Sequence, residues 1–139
     1  MGYTHYWTIK EELPREKFIE WAEGVKVIVE TAVEAGIPLG NGLGEDKPEI
    51  SDNVIVFNGV GAGGHESFGI SIDDEGFDFC KTAAKPYDAV VTATLIHAKK
   101  IFGAAIEIKS DGEWAEWEGG QLLYETVFDV QPQESEVFA

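Results

Sequence analysis

The order of hydrophobic periods along the chain limits its fold more than any single motif. YTHYWTIKE and ESFGISID alternate with period two, as half-buried strands do, and AAIEIK repeats the pattern with Ile106 and Ile108 in phase. NVIVFN is β-rich and apolar on both faces, as an internal strand is. Between these segments the period changes. After Pro14, Phe18, Ala22, Val25, Val29, Ala32 and Val33 recur at helical spacing up to Gly36, with Gly24 weakening the helix without ending it. Val91, Leu95, Ala98 and Phe102 do the same between Asp88, a candidate N-cap, and Gly103. The turn Asp111-Gly112 leads into a third helix carrying Trp114, Trp117, Leu122, Tyr124 and Phe128.

The resulting order, β-α-β-β-α-β-α, predicts an α+β fold, a ferredoxin-like split β-α-β sandwich (β-α-β-β-α-β) with an additional C-terminal helix. In that topology the strand order is 4-1-3-2 and the helices cover one sheet face. The odd positions Tyr3, His5, Trp7 and Ile9 of the first strand then meet the core. The first strand begins where the third, ESFGISID, finishes, which sets Tyr3 and His5 beside FDFCKTAAKPYD, taken as a bridging segment. The irregular stretch 37–52, IPLGNGLGEDKPEISD, ends at the same edge. Residues 1–130 are expected to form one globular domain and residues 131–139 a flexible tail.

Ten basic against 26 acidic side chains leave a net charge of −16. A surface so acidic repels phosphate backbones and disfavours direct nucleic-acid binding. It suits solubility, or imitation of nucleic-acid charge toward a basic protein partner. The single cysteine, Cys80, cannot form an internal disulfide, and the N-terminal residues lack the basic-then-apolar pattern of a secretion signal. A cytoplasmic location is expected. No apolar run approaches the roughly 20 residues a membrane span needs.

Several motifs have a chemical and a plain reading. GVGAGG fits G-x-G-x-x-G at Gly59, Gly61 and Gly64, yet the following HESFGISI is strand-like, so no helix N-terminus is present to hold a pyrophosphate. A glycine-rich hairpin is the better reading. His65 with Glu66 offers acid–base groups or a structural hydrogen bond. His5, His65 and His97 fall on separate elements, so neither a metal site nor a cofactor is expected. His97 flanks an apolar stripe and reads as a half-buried, satisfied histidine. Trp114 and Trp117 share a helix face that covers the core or meets a second copy in a homo-oligomer.

The densest chemistry lies in FCKTAAKPYD. Lys81, Thr82 and Lys85 are donors placed just before a helix start, where unpaired amides and the helix dipole favour an anion. The alternative is that both lysines pair with acidic neighbours. Cys80 is a nucleophile only if a positive field lowers its pKa; beside Phe79 it reads as packing. No catalytic residue is assigned. Tyr3, His5, Lys81, Thr82, Lys85 and Tyr87 form the expected ligand-binding set, with the lysines neutralising charge and Tyr3 or Tyr87 stacking.

Together MGYTHYW, GHESF and FDFCKTAAKPYD resemble a family of small uncharacterised bacteriophage and bacterial proteins, in this order across most of the chain. The family pattern K-T-A-R/H-K is basic where this chain has Ala84, which lowers the positive charge of any anion site. The resemblance implies phage biology and an anti-defence role. The leading expectation is a homo-oligomeric binding protein that sequesters a small anionic ligand such as a nucleotide. An acidic inhibitor of a host protein and a small nucleotide-processing enzyme are the alternatives.

Overall fold

The computed structural model describes residues 3–138; Met1, Gly2 and Ala139, which fall within the expected domain and tail, lie outside the described residues. The chain forms a mixed α+β fold with antiparallel sheets. Strand β1 (Thr4–Ile9) leads through Pro14 into helix α1 (Arg15–Glu34). The stretch 37–52 supplies two short strands, β2 (Leu39–Gly40) and β3 (Glu49–Ile50), which flank β4 (Val54–Gly59). The glycine-rich segment is a turn joining β4 to its antiparallel partner β5 (Phe68–Ser71). Strand β6 (Gly76–Lys81), helix α2 (Asp88–Phe102), strand β7 (Ile106–Ser110), helix α3 (Glu118–Phe128) and the short helix α4 (Glu134–Val137) complete the chain.

Strand pairing departs from the sequence expectation at one place, and the site depends on it. Strand β1 is the centre of a three-stranded sheet ordered β6-β1-β7, antiparallel on both sides. ESFGISID does not reach β1; its strand β5 pairs with β4. The neighbour of β1 is GFDFCK, a segment whose alternation is inverted: Phe77 and Phe79 are exposed and Cys80 is buried. A reading that assigns apolar residues to the core gives this segment no buried face, which is why it reads as a bridge.

The odd residues of β1 do face inward. His5, Trp7 and Ile9 are buried beneath the helices. In α2 every residue from Val90 to Ala98 is buried, because α1 and the sheet enclose one side and α3 the other. Close approach of α3 needs Gly120, where a Cβ would stand 1.9 Å from Thr92 Oγ1. Within residues 131–138, Pro132 and Val137 are buried, and Phe138 lies edge-on to Trp117 at 4.9 Å and to Trp114 at 5.7 Å. The aromatic pair thus finds its cover within its own chain, and burial of the Phe138 and Val137 side chains offsets the cost of ordering this short helix.

His97 is buried deeper than its sequence position suggests. Its ring stacks on Phe128 at 4.4 Å, lies against Gly24 of α1, and both ring nitrogens are buried without a hydrogen-bond partner. Burial pushes its pKa down to about 4, so the ring is neutral in the fold. Between pH 4 and 6.5 the unfolded chain therefore binds a proton that the folded chain does not. Stability should rise with pH across this window, by up to about 3 kcal/mol from this group, and the gain should be complete above pH 6.5. Denaturant unfolding of the wild type and His97→Leu at matched pH values will separate this contribution; parallel pH profiles would remove it.

Candidate functional site

The junction where β1, β6, β7 and α2 meet is organised around His5. Its ring is fully buried, with Nε2 2.6 Å from Asp88 Oδ1 and Nδ1 2.8 Å from Ser110 Oγ. Thr82, also fully buried, donates its hydroxyl to the same Asp88 oxygen at 2.5 Å. Asp88 opens α2, so its carboxylate also sits favourably at the positive end of that helix.

Accounting for donors fixes the tautomer. Ser110 Oγ accepts the Gly112 amide at 2.9 Å and the Trp117 indole N–H at 3.1 Å. Both hydroxyl lone pairs are then used, so its O–H donates to His5 Nδ1, and His5 Nε2–H donates to Asp88. The serine–histidine–aspartate order resembles a nucleophile chain. Here the serine oxygen is engaged in three hydrogen bonds and the imidazole is fully buried. The arrangement ties two strands and α2 together.

The six expected ligand residues do not converge. His5 and Thr82 are enclosed in this network. Tyr87 is fully buried and donates its hydroxyl to the Glu66 carbonyl, which also accepts the Cys80 thiol at 3.4 Å. Neither the ring nor the hydroxyl of Tyr87 is available to stack or bond elsewhere. Burial pushes the Cys80 thiol up to about 12, which keeps it protonated at neutral pH. Glu66 is exposed; its carboxylate accepts the Lys81 amide at 2.8 Å, the structural hydrogen bond the sequence offers, and His65 is exposed beside it.

Only Tyr3 and Lys85 of that set line a common cavity, 380 Å³ in volume, together with Asp88 and Glu116. Carboxylates outnumber cations there. Burial, then the nearby charges of Asp88 and Glu116, push the Tyr3 hydroxyl up to about 12. The helix start that the sequence offers to an anion is occupied by the chain's own Asp88. The turn leading to it is fixed by the Tyr3 carbonyl, which accepts the Thr82 and Ala83 amides, and carries Ala83 and Ala84 at φ of 54° and 56°. Among the described residues there is no group of three or more His, Cys, Asp or Glu side chains placed to hold a metal ion. None of their helices is long and apolar enough to cross a membrane.

Lys81 points elsewhere, and it leads to a second surface. In β6 it shares a face with Phe77 and Phe79, while the opposite side of that strand holds Cys80. Cross-strand register places Phe79 beside Tyr6 and then Lys109, Phe77 beside Thr8 and then Glu107, and Lys81 beside Thr4. The outer face of the sheet therefore carries three rings in a row. Tyr6 stacks on Phe77 at 6.0 Å and 24°, and Phe77 meets Phe79 at 6.2 Å and 36°. Phe77 and Phe79 are 64% and 48% exposed, which is rare for phenylalanine on a folded protein. Tyr6 is held in place by its hydroxyl, which donates to Asp111 at 3.0 Å.

Lys81 and Lys109 flank this run of rings, and neither is within ion-pair distance of a carboxylate among the described residues; Lys10 pairs with Glu107 at 3.5 Å. Three of the chain's ten basic side chains lie on this face or at its rim. Sequence reasoning missed it, although F-D-F-C-K held the signal: read as a strand, it puts Phe77, Phe79 and Lys81 on one side. No family model, curated protein or solved structure matches the chain.

Proposed function

We propose that the protein is a binding protein that captures a small ligand combining flat rings with negative charge, a nucleotide in chemical class, on the outer face of the β6-β1-β7 sheet. The contiguous exposed rings of Tyr6, Phe77 and Phe79 between Lys81 and Lys109 carry this reading. Aromatic side chains on a sheet accept bases by stacking, and flanking ammonium groups neutralise phosphate. The remaining surface is strongly acidic, which favours a ligand with few phosphates over a long polyanion. With the family resemblance, the role is sequestration of a nucleotide signal in a phage-infected cell. The fold is read as a variant of the ferredoxin-like split β-α-β arrangement in which β6 takes the place beside β1; the central position of β1 between β6 and β7 supports this.

Titration calorimetry against purine mononucleotides and cyclic dinucleotides should give binding heat. Phe77→Ala with Phe79→Ala should weaken the best binder at least about tenfold, since each base–ring stack contributes about 1–3 kcal/mol. Both side chains are exposed, so unfolding midpoints should hardly move. Lys109→Ala should weaken binding less and reduce its salt dependence. A folded protein that gives no heat with any member of the panel, or an unchanged Kd in the double variant, would overturn the proposal.

A further inference from the structure

The second surface with an unmet capacity is the free edge of β7. The hydrogen-bond phase of the sheet is fixed at both ends of β7: the Asp111 amide donates to the Thr4 carbonyl at 2.9 Å, and the Lys10 amide to the Ala105 carbonyl at 2.8 Å. With the register Tyr6–Lys109 and Thr8–Glu107 between them, the even residues of β1 bond to β7. The main-chain groups of Ile106, Ile108 and Ser110 then point away from β1. Ile106 is covered, its carbonyl accepting the Lys99 ammonium at 2.7 Å. Among the described residues no hydrogen bond takes up the amides and carbonyls of Ile108 and Ser110 on that side.

These free groups lie in a cleft of 890 Å³, not on an open rim. Trp114 and Phe138 form its apolar wall, and Glu107, Glu113 and Glu134 line it against the single cation Lys109. The opposite edge of the sheet differs. On β6 the Phe79 amide is taken by the Asp78 carboxylate at 2.7 Å and the Lys81 amide by the Glu66 carboxylate, so that edge is blunted by the chain itself. On β7 the edge is left open beside apolar side chains. Such an edge accepts an extended segment that adds a strand through main-chain hydrogen bonds and seats alternate side chains in the cleft.

We propose that the β7 cleft binds a basic extended peptide segment of a partner protein by strand addition. Charge selects the occupant. The outer wall comes from Gly112 to Ala115, Glu134 and Phe138, with Glu113 and Glu134 as its carboxylates, and the sequence 111–138 that supplies it has two Asp and six Glu and no Lys or Arg. A second copy of β7 would bring the same carboxylates against these and meet like-charge repulsion, whereas a segment with lysine or arginine at alternate positions meets complementary charge. This inference is independent of nucleotide binding on the sheet face.

The test uses a fluorescein-labelled ten-residue peptide of alternating Lys and Val, the same peptide with Glu in place of Lys, and an N-methylated Lys-Val peptide whose edge-facing amides cannot donate. Anisotropy should show saturable binding of the Lys-Val peptide only, and the Ile108 and Ser110 amides should gain protection from hydrogen exchange on binding. N-methylation, and separately Glu113→Lys with Glu134→Lys, should each weaken binding at least about tenfold. Absence of binding by the Lys-Val peptide, or equal binding by its N-methylated form, would overturn the proposal. So would protection of Ile108 and Ser110 that rises with protein concentration in the absence of peptide, since a second copy would then hold the edge.

Discussion

Asp88→Ala should lower the free energy of unfolding by about 4 kcal/mol, among the largest effects of any substitution outside the apolar core. The carboxylate oxygen accepts two donors, His5 Nε2–H and the Thr82 hydroxyl, from residues with no solvent exposure. Removing the acceptor leaves both buried donors unpaired, and each such orphan costs about 1–3 kcal/mol. The favourable placement of a negative charge at the start of α2 is lost as well, worth about 0.3–1 kcal/mol. Asp88→Asn keeps an oxygen in place and should cost clearly less. Thr82→Val removes one donor while leaving the acceptor to His5, so it should cost least of the three. Denaturant unfolding of the three variants provides the comparison. A loss below about 1 kcal/mol for Asp88→Ala would mean that the network is not the tie between strands and helix described above.

Gly24→Ala should be the second large effect, and its sign runs against helix propensity. In an exposed helix the change gains about 1 kcal/mol. Here a Cβ would stand 2.1 Å from His97 Nε2 and 2.6 Å from its Cδ2. The imidazole cannot retreat, because Phe128 stacks on it at 4.4 Å and Tyr124 lies at 6.1 Å. Overpacking of this kind costs about 1–3 kcal/mol and outweighs the propensity gain, for a net loss of up to about 2 kcal/mol. Addition of His97→Ala should recover part of it, so the double variant should be more stable than the sum of the singles by at least about 1 kcal/mol. Additive losses would place the strain somewhere other than this contact.

The two cases illustrate what is legible in a chain of this kind. That His5 faces inward follows from the alternation of YTHYWTIK; its place near the start of α2 is the expected one, but it is reached through GFDFCK and not through the expected neighbour ESFGISID. Its partners do not. Ser110 is 105 residues away in sequence and Asp88 is 83 away, and a lone serine beside a D-G turn reads only as turn chemistry. His97 has the opposite history. The helical period marks it as a flank residue, half-buried and satisfied, yet the third helix covers it and leaves its nitrogens without partners.

The candidate ligand face shows the same division. The lysine-bearing motif was recognisable from its composition, and Lys81 belongs to both the expected set and the observed surface. Thr82, Tyr87 and His5 lie close to that motif in sequence or in topology. Their polar atoms are consumed by Asp88, the Glu66 carbonyl and Ser110, partners that only the folded chain supplies.

By itself the sequence determined the periods and hence the elements: two long helices, a third one after Asp111-Gly112, a first strand buried on its odd side, and a charge of −16 that faces water. Local propensity and amphipathic spacing act within a few residues, so they can be read residue by residue. Only the tertiary structure decided that GFDFCK is the neighbour of β1, that its phenylalanines turn outward beside Tyr6, and that the segment from 131 packs on Trp114 and Trp117. Strand pairing is a contact between segments some 70 residues apart, and a period of two gives each strand two faces without saying which one a neighbouring element will cover.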